Sequence, residues 1–160
     1  MPASKSSAAR ATEPVPDFSP LACADALART STETCRQHER LSRLMALGVS
    51  QAELAAALAM VDTIDLALAE SVKEFEKSCG TGTISEVAEI RSAANSLWLA
   101  AREYLRRHSI AEKASHQIAQ RDEHTLGDLH FEYELEASAL LGLKQAATTY
   151  GKQRPETRGA

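Results

Sequence analysis

The sequence predicts an all-α protein, an up-down antiparallel four-helix bundle with flexible tails at both ends. Three observations lead there. Apolar residues recur in steps of three and four along long stretches. Those stretches are separated by short turns containing Gly. No segment shows the alternation of Val, Ile and Thr that a half-buried strand requires. A single domain over residues 19–151 is expected, with loose segments at 1–18 and 152–160.

The first helix begins at Ser19-Pro20, a capping residue followed by a proline suited to the first helical turn. Its stripe is Leu21, Ala24, Leu27, Ser31, Cys35, His38, Leu41 and Met45, apolar at the ends and polar in the middle. Thr30-Ser31-Thr32 is a place where side chains compete for backbone hydrogen bonds, so a break there is possible. Gly48 ends the helix, and only Gly48 and Val49 precede the next cap. A turn that short makes the first two helices an antiparallel hairpin.

The second helix, Ser50 to Cys79, is the organising element. Ser50 and Glu53 form a capping-box pair, with Val49 and Leu54 placed as a hydrophobic staple. Its stripe is Leu54, Leu58, Val61, Asp65, Leu68, Val72, Phe75 and Cys79. Gly80 is expected to stop it in the left-handed conformation. At ~1.5 Å per residue this is a rod of roughly 45 Å, whose apolar side other helices must cover.

Thr83 and Glu86 repeat the capping-box form and start a third helix through Val87, Ile90, Ala94, Leu97, Trp98, Ala101, Tyr104 and Leu105. No Gly or Pro occurs between Gly82 and Gly127. The helix therefore either continues past His108 or kinks at Ser109 and runs to about Gln120. Thr125 with Asp128 caps a fourth helix carrying Leu129, Tyr133, Glu136, Leu140, Leu143, Ala147 and Tyr150, closed by Gly151 and Pro155.

Composition narrows the function classes. The formal net charge is -4, so there is no long-range attraction for nucleic acid or an anionic membrane. No apolar run approaches the ~20 residues of a membrane span. Cys23, Cys35 and Cys79 are odd in number and lack CxxC spacing, which reads as reduced thiols and a cytoplasmic setting. With 29 Ala among 160 residues, the helices are expected to pack closely through small side chains.

Two short segments resemble known families. Ser50-Gln51-Ala52-Glu53-Leu54-Ala55 resembles the opening of a bacterial helix-turn-helix repressor. The turn glycine of that motif is Ala59 here, and Leu44 to Val72 contains no Lys or Arg. Asp62, Asp65 and Glu70 would face phosphates and repel DNA. Gln37-His38-Glu39-Arg40-Leu41 resembles the phosphoacceptor segment of histidine-kinase dimerisation helices, which makes His38 a candidate for phosphotransfer. No Glu-x-x-His is present for a ferritin-like di-iron centre, so no metal ligands are assigned and no cofactor is expected. No nucleophile elbow or phosphate-cradling loop is present, so no catalytic residue is assigned either.

The most informative pattern is collective. Each helix carries a polar residue on or beside its apolar face: His38, then Asp62 and Asp65, then Arg91 and Asn95, then Glu136. Counting back from the turns places Arg36 level with Asp62, and Arg102 level with Asp62 from the other side. The expectation is that Arg36 and Arg102 bracket Asp62, and that Asp65 reaches Asn95 or Arg102. Arg36, His38, Asp62, Asp65, Asn95, Arg102 and Glu136 form a candidate core polar layer, either fixing helix register or binding a ligand. The leading functional expectation is a non-enzymatic interaction module that binds a protein partner or self-associates through a helix face. A small-ligand or metal site in the layer is the alternative, and phosphotransfer through His38 is a third.

Overall fold

The computed structural model describes residues 17–119 and 126–155. Residues 1–16 of the flexible tail expected over 1–18, the cap expected at Thr125 and residues 156–160 lie outside them. Four helices account for the fold: α1 (Pro20–Leu47), α2 (Gln51–Cys79), α3 (Ala88–Ala119) and α4 (Leu126–Gln153). Among the described residues there is no strand.

The α1 start is as its sequence dictates. Ser19 Oγ accepts from the Ala22 N–H, with Pro20 at the first helical position. The Thr-rich centre does not break the helix. Thr30, Thr32 and Thr34 donate their hydroxyls back to the carbonyls of Ala26, Ala28 and Thr30 without interrupting the helix, and Thr30 Oγ1 also lies 3.1 Å from Ser71 Oγ on α2. Gly48 closes α1 at φ 64°, a left-handed cap that a β-carbon would strain.

Ser50 and Glu53 form the full capping box, and α2 runs unbroken for 29 residues. Its end departs from expectation. Gly80 is right-handed (φ −74°, ψ −11°); its N–H bonds to the Lys77 carbonyl, and the Thr81 N–H bonds to that of Ser78. A right-handed cap tightens the last turn and sends the chain on without a sharp reversal. The segment 80–87 then forms a longer link than the four-residue turn expected at Gly80-Thr81-Gly82-Thr83. The capping box expected at Thr83 and Glu86 is not made. Ser85 Oγ accepts from the Val87 N–H instead, and α3 starts at Ala88. α3 then passes through Ser109 without interruption. α4 carries Gly151 inside the helix and ends two residues later than expected.

Helices α1 and α2 pack along their length as one hairpin, and α3 and α4 as another. The hairpins meet mainly where α1 runs beside α4, whereas the α2–α3 seam is loose. The bundle therefore has two unlike halves. In one, Leu27, Leu68, Phe75, Leu97, Leu143 and Tyr150 interlock in a fully buried core, with Ala24, Ala94 and Ala101 allowing close approach. In the other, the helices border a cleft and the expected stripes are only partly covered. Met45, Leu58 and Tyr133 were all expected inside, yet Leu58 is 50% exposed and Met45 and Tyr133 are also open to solvent. On α2, Ala57 and Ser78 take the buried places expected of Leu58 and Cys79.

The closed end carries its own polar lock. Asp25 on α1 accepts from Tyr150 Oη at 2.6 Å and from Arg154 Nη2 at 2.8 Å. Burial pushes the Asp25 carboxyl up, but Arg154 and Tyr150 outweigh it and hold it below the usual carboxylate range.

Candidate functional site

Where the two halves meet, each helix contributes ionisable side chains to one layer. His38 comes from α1, Asp65 from α2, Tyr104 and His108 from α3, and Glu136 from α4. Tyr104 and His108 are four residues apart, so one helix face presents both, and their rings stack 5.9 Å apart.

Asp65 is the centre of the layer. Its side chain is 7% exposed. Tyr104 Oη donates to Asp65 Oδ1 at 2.9 Å. His38 Nε2 lies 2.7 Å from Tyr104 Oη and 3.3 Å from Asp65 Oδ1. The phenol has one proton, and it goes to the carboxylate. His38 Nε2 must then carry hydrogen to serve its own two neighbours. The second oxygen, Asp65 Oδ2, is buried with no hydrogen-bond partner among the described residues, and His108 Nε2 stands 3.6 Å from it. His108 Nδ1 bonds Glu136 Oε1 at 2.9 Å. The imidazole of His108 is thus set between two carboxylates, one on each nitrogen.

The electrostatics follow from this geometry. The hydrogen bond to Glu136 raises the His108 pKa above the ordinary imidazole value, against the opposing effect of burial, and Asp65 adds to the rise. Burial, followed by the adjacent Asp65 charge, pushes the Tyr104 phenol well above its usual range, so it remains a donor. Cys35, nearby on α1, is a buried thiol pushed up to about 11 by burial and Glu39, which makes it unreactive at neutral pH.

Above the layer the helices border a cleft of about 820 Å³. Leu41, Leu58, Val61, Ala111, Tyr133 and Leu140 supply its apolar walls. His38, His108 and Glu136 form its floor, while Asp65 and Tyr104 lie beneath them. Glu39, Arg43, Asp62 and Glu112 stand around it.

Of the residues expected in the layer, His38, Asp65 and Glu136 are brought together. Arg36, Asp62, Asn95 and Arg102 are not. Arg36 turns outward to Glu33 at 2.6 Å, and Arg102 pairs with Glu76 and lies over the Trp98 ring. Asp62 is exposed and makes no ion pair among the described residues, and Asn95 is exposed. Counting from a turn fixes the level along the axis but not the direction around the helix. Asp62 is three residues before Asp65, off the buried face that Val61, Asp65 and Leu68 define. The sequence reading also missed two members. Tyr104 was read only as apolar, and His108 was read only as a boundary. The available signal was spacing, because Leu97, Ala101, Tyr104, His108 and Ala111 continue one face.

Comparison with known protein families, curated proteins and solved structures gives no match. Among the described residues no three His, Cys, Asp or Glu side chains converge to hold a metal ion, and no helix is long and apolar enough to cross a membrane.

Proposed function

We propose that the protein is a non-enzymatic binding module whose open half takes a small amphipathic ligand into the cleft. The observation that carries this is the convergence of four helices on an ionisable layer at the foot of an apolar-walled cleft. Apolar concavity with a few convergent polar groups is the usual form of a small-molecule site, and about 820 Å³ falls in the usual range of roughly 300–1,000 Å³. The ligand's apolar body lies against Leu58, Val61 and Leu140, and its polar end meets His38, His108 and Glu136. Thermal shift followed by calorimetry against a panel of single-chain amphipaths tests the reading. A ligand at a hundredfold excess over its Kd stabilises the fold by about 2.7 kcal/mol. Leu58→Glu, at a half-exposed position, is expected to fold and to lose the shift. Absence of any saturable ligand, or binding unaffected by Leu58→Glu, removes the reading.

A second reading rests on α2. Its outer face presents Leu66, 70% exposed, and Met60 among exposed alanines. That stretch carries carboxylates and no basic residue. The matching partner is a helix of another protein with apolar and basic residues, met in a cytoplasmic setting. Leu66→Lys is expected to abolish such a complex, and a complex that survives the change excludes this face. Phosphotransfer through His38 is less well supported, because Nε2 is turned inward to Tyr104 and Asp65.

A further inference from the structure

The cleft is bordered by more carboxylates than cations. Asp62 stands on it from α2 and Glu112 from α3, neither in an ion pair among the described residues. Glu136 reaches it from α4 through its bond to His108. From α1 come His38, Arg43 and Glu39, the last paired with Lys144 of α4. Beneath the floor lies Asp65, its Oδ2 buried and without a hydrogen-bond partner among the described residues. Two imidazoles at the floor can compensate this negative charge when protonated: His38 at Asp65 Oδ1, and His108, which stands between two carboxylates. The Nδ1 of His108 bonds Glu136, and its Nε2 stands 3.6 Å from Asp65 Oδ2.

Taking the cleft as a binding site, we propose that its ligand carries a cationic amine head group, and that binding drives one proton off His108. The exchange is balanced and involves no other chemistry. The ammonium head settles among Glu136, Asp62 and Glu112. One N–H bond of the imidazolium breaks, its electron pair stays on nitrogen, and the proton passes to solvent. Two like charges on one floor repel, and the imidazolium is the one that can lose its charge. An anionic head group would do the reverse, keeping the imidazolium and drawing a proton in. The carboxylate surplus and the orphaned Asp65 oxygen select the cation.

The sign of the pH dependence follows. His108 is held protonated above the ordinary imidazole range by its Glu136 hydrogen bond. Affinity for the cation therefore rises with pH, by about tenfold per unit at most, and levels off once His108 is neutral.

The test is calorimetry of the full chain with octylamine, octanol and octanoate, in buffers of differing ionisation enthalpy. The expected result is octylammonium binding with close to one proton released on the acid side of the His108 titration. In His108→Gln the proton release and the pH slope are expected to disappear. If that variant does not fold, imidazole NMR on the unmodified protein decides, since the His108 pKa must fall when octylammonium is bound. Octylammonium binding without proton release, or tighter octanoate binding with proton uptake, overturns the charge assignment and leaves the cleft reading standing. Failure of all three probes to bind sinks both.

Discussion

The two halves of this bundle are made from the same four helices and solve different problems. At the closed end, Leu, Phe and Ala side chains interlock, and one polar lock, Asp25 with Tyr150 and Arg154, ties the last turn of α4 to α1. At the open end, ionisable side chains form a layer across the bundle, and a cleft with apolar walls lies above them. Burial of apolar area drives helices together, whereas a buried carboxylate must find donors and limits how much can be packed around it. The close packing therefore lies in one half, and the ionisable layer with the proposed binding cleft in the other.

The comparison breaks most directly at Phe75. Truncation of this fully buried ring in Phe75→Ala is expected to cost about 3–5 kcal/mol in urea unfolding. A loss under about 1 kcal/mol would mean that the closed half is not what holds the fold. Next is the polar lock. Asp25→Asn weakens charge-assisted bonds to Arg154 and is expected to cost about 1.5–3 kcal/mol. Because the Asp25 pKa is lowered in the folded state, this contribution is present above the unfolded carboxylate value of about 3.9 and lost as pH falls. The difference between wild type and Asp25→Asn should therefore shrink on acidification.

Tyr104→Phe sharpens the contrast from the other side. It removes the closest donor to a buried carboxylate and is expected to cost about 1–3 kcal/mol, despite changing one atom. His108 gives the opposite pH signature to Asp25. Its pKa is raised on folding, so its stabilisation is complete below the unfolded value of about 6.5 and fades as pH rises through the folded one. Stability measured from about pH 6 to 9 should fall in wild type and stay flatter in Glu136→Gln, which lacks the charged acceptor. The smallest effect is at Leu58. Leu58→Ala should change stability by less than about 0.5 kcal/mol while weakening any ligand in the cleft. A large stability loss there would show that the open half is packed after all.

Much of the fold was legible in the sequence because its signals were local. Ser19-Pro20, the Ser50 and Glu53 pair and the stripe from Val61 to Phe75 each specify geometry within a few residues. Gly80 shows the limit. A glycine permits the left-handed cap but does not require it, and here the chain continues right-handed into a longer link. Part of the candidate site was visible because His38, Asp65 and Glu136 sit on apolar stripes, where a charge is conspicuous. Tyr104 and His108 were hidden for complementary reasons. A tyrosine looks apolar until its hydroxyl finds a carboxylate, and a histidine beyond the apolar run looks like an end. The pairing expected for Asp62 failed because an axial level does not say which way a side chain points.

The link from Gly80 to Val87 has a mechanical consequence. Of the connections described, it alone joins one helical hairpin to the other, and it does so at the closed end, eight residues long and tied at Ser85 by the Val87 N–H and the Arg91 side chain. Among the described residues, no connection joins the far ends of α2 and α3 to each other, so packing alone sets their spacing there. A guest in the proposed cleft would therefore meet side-chain packing, and no backbone tie, between those two helices.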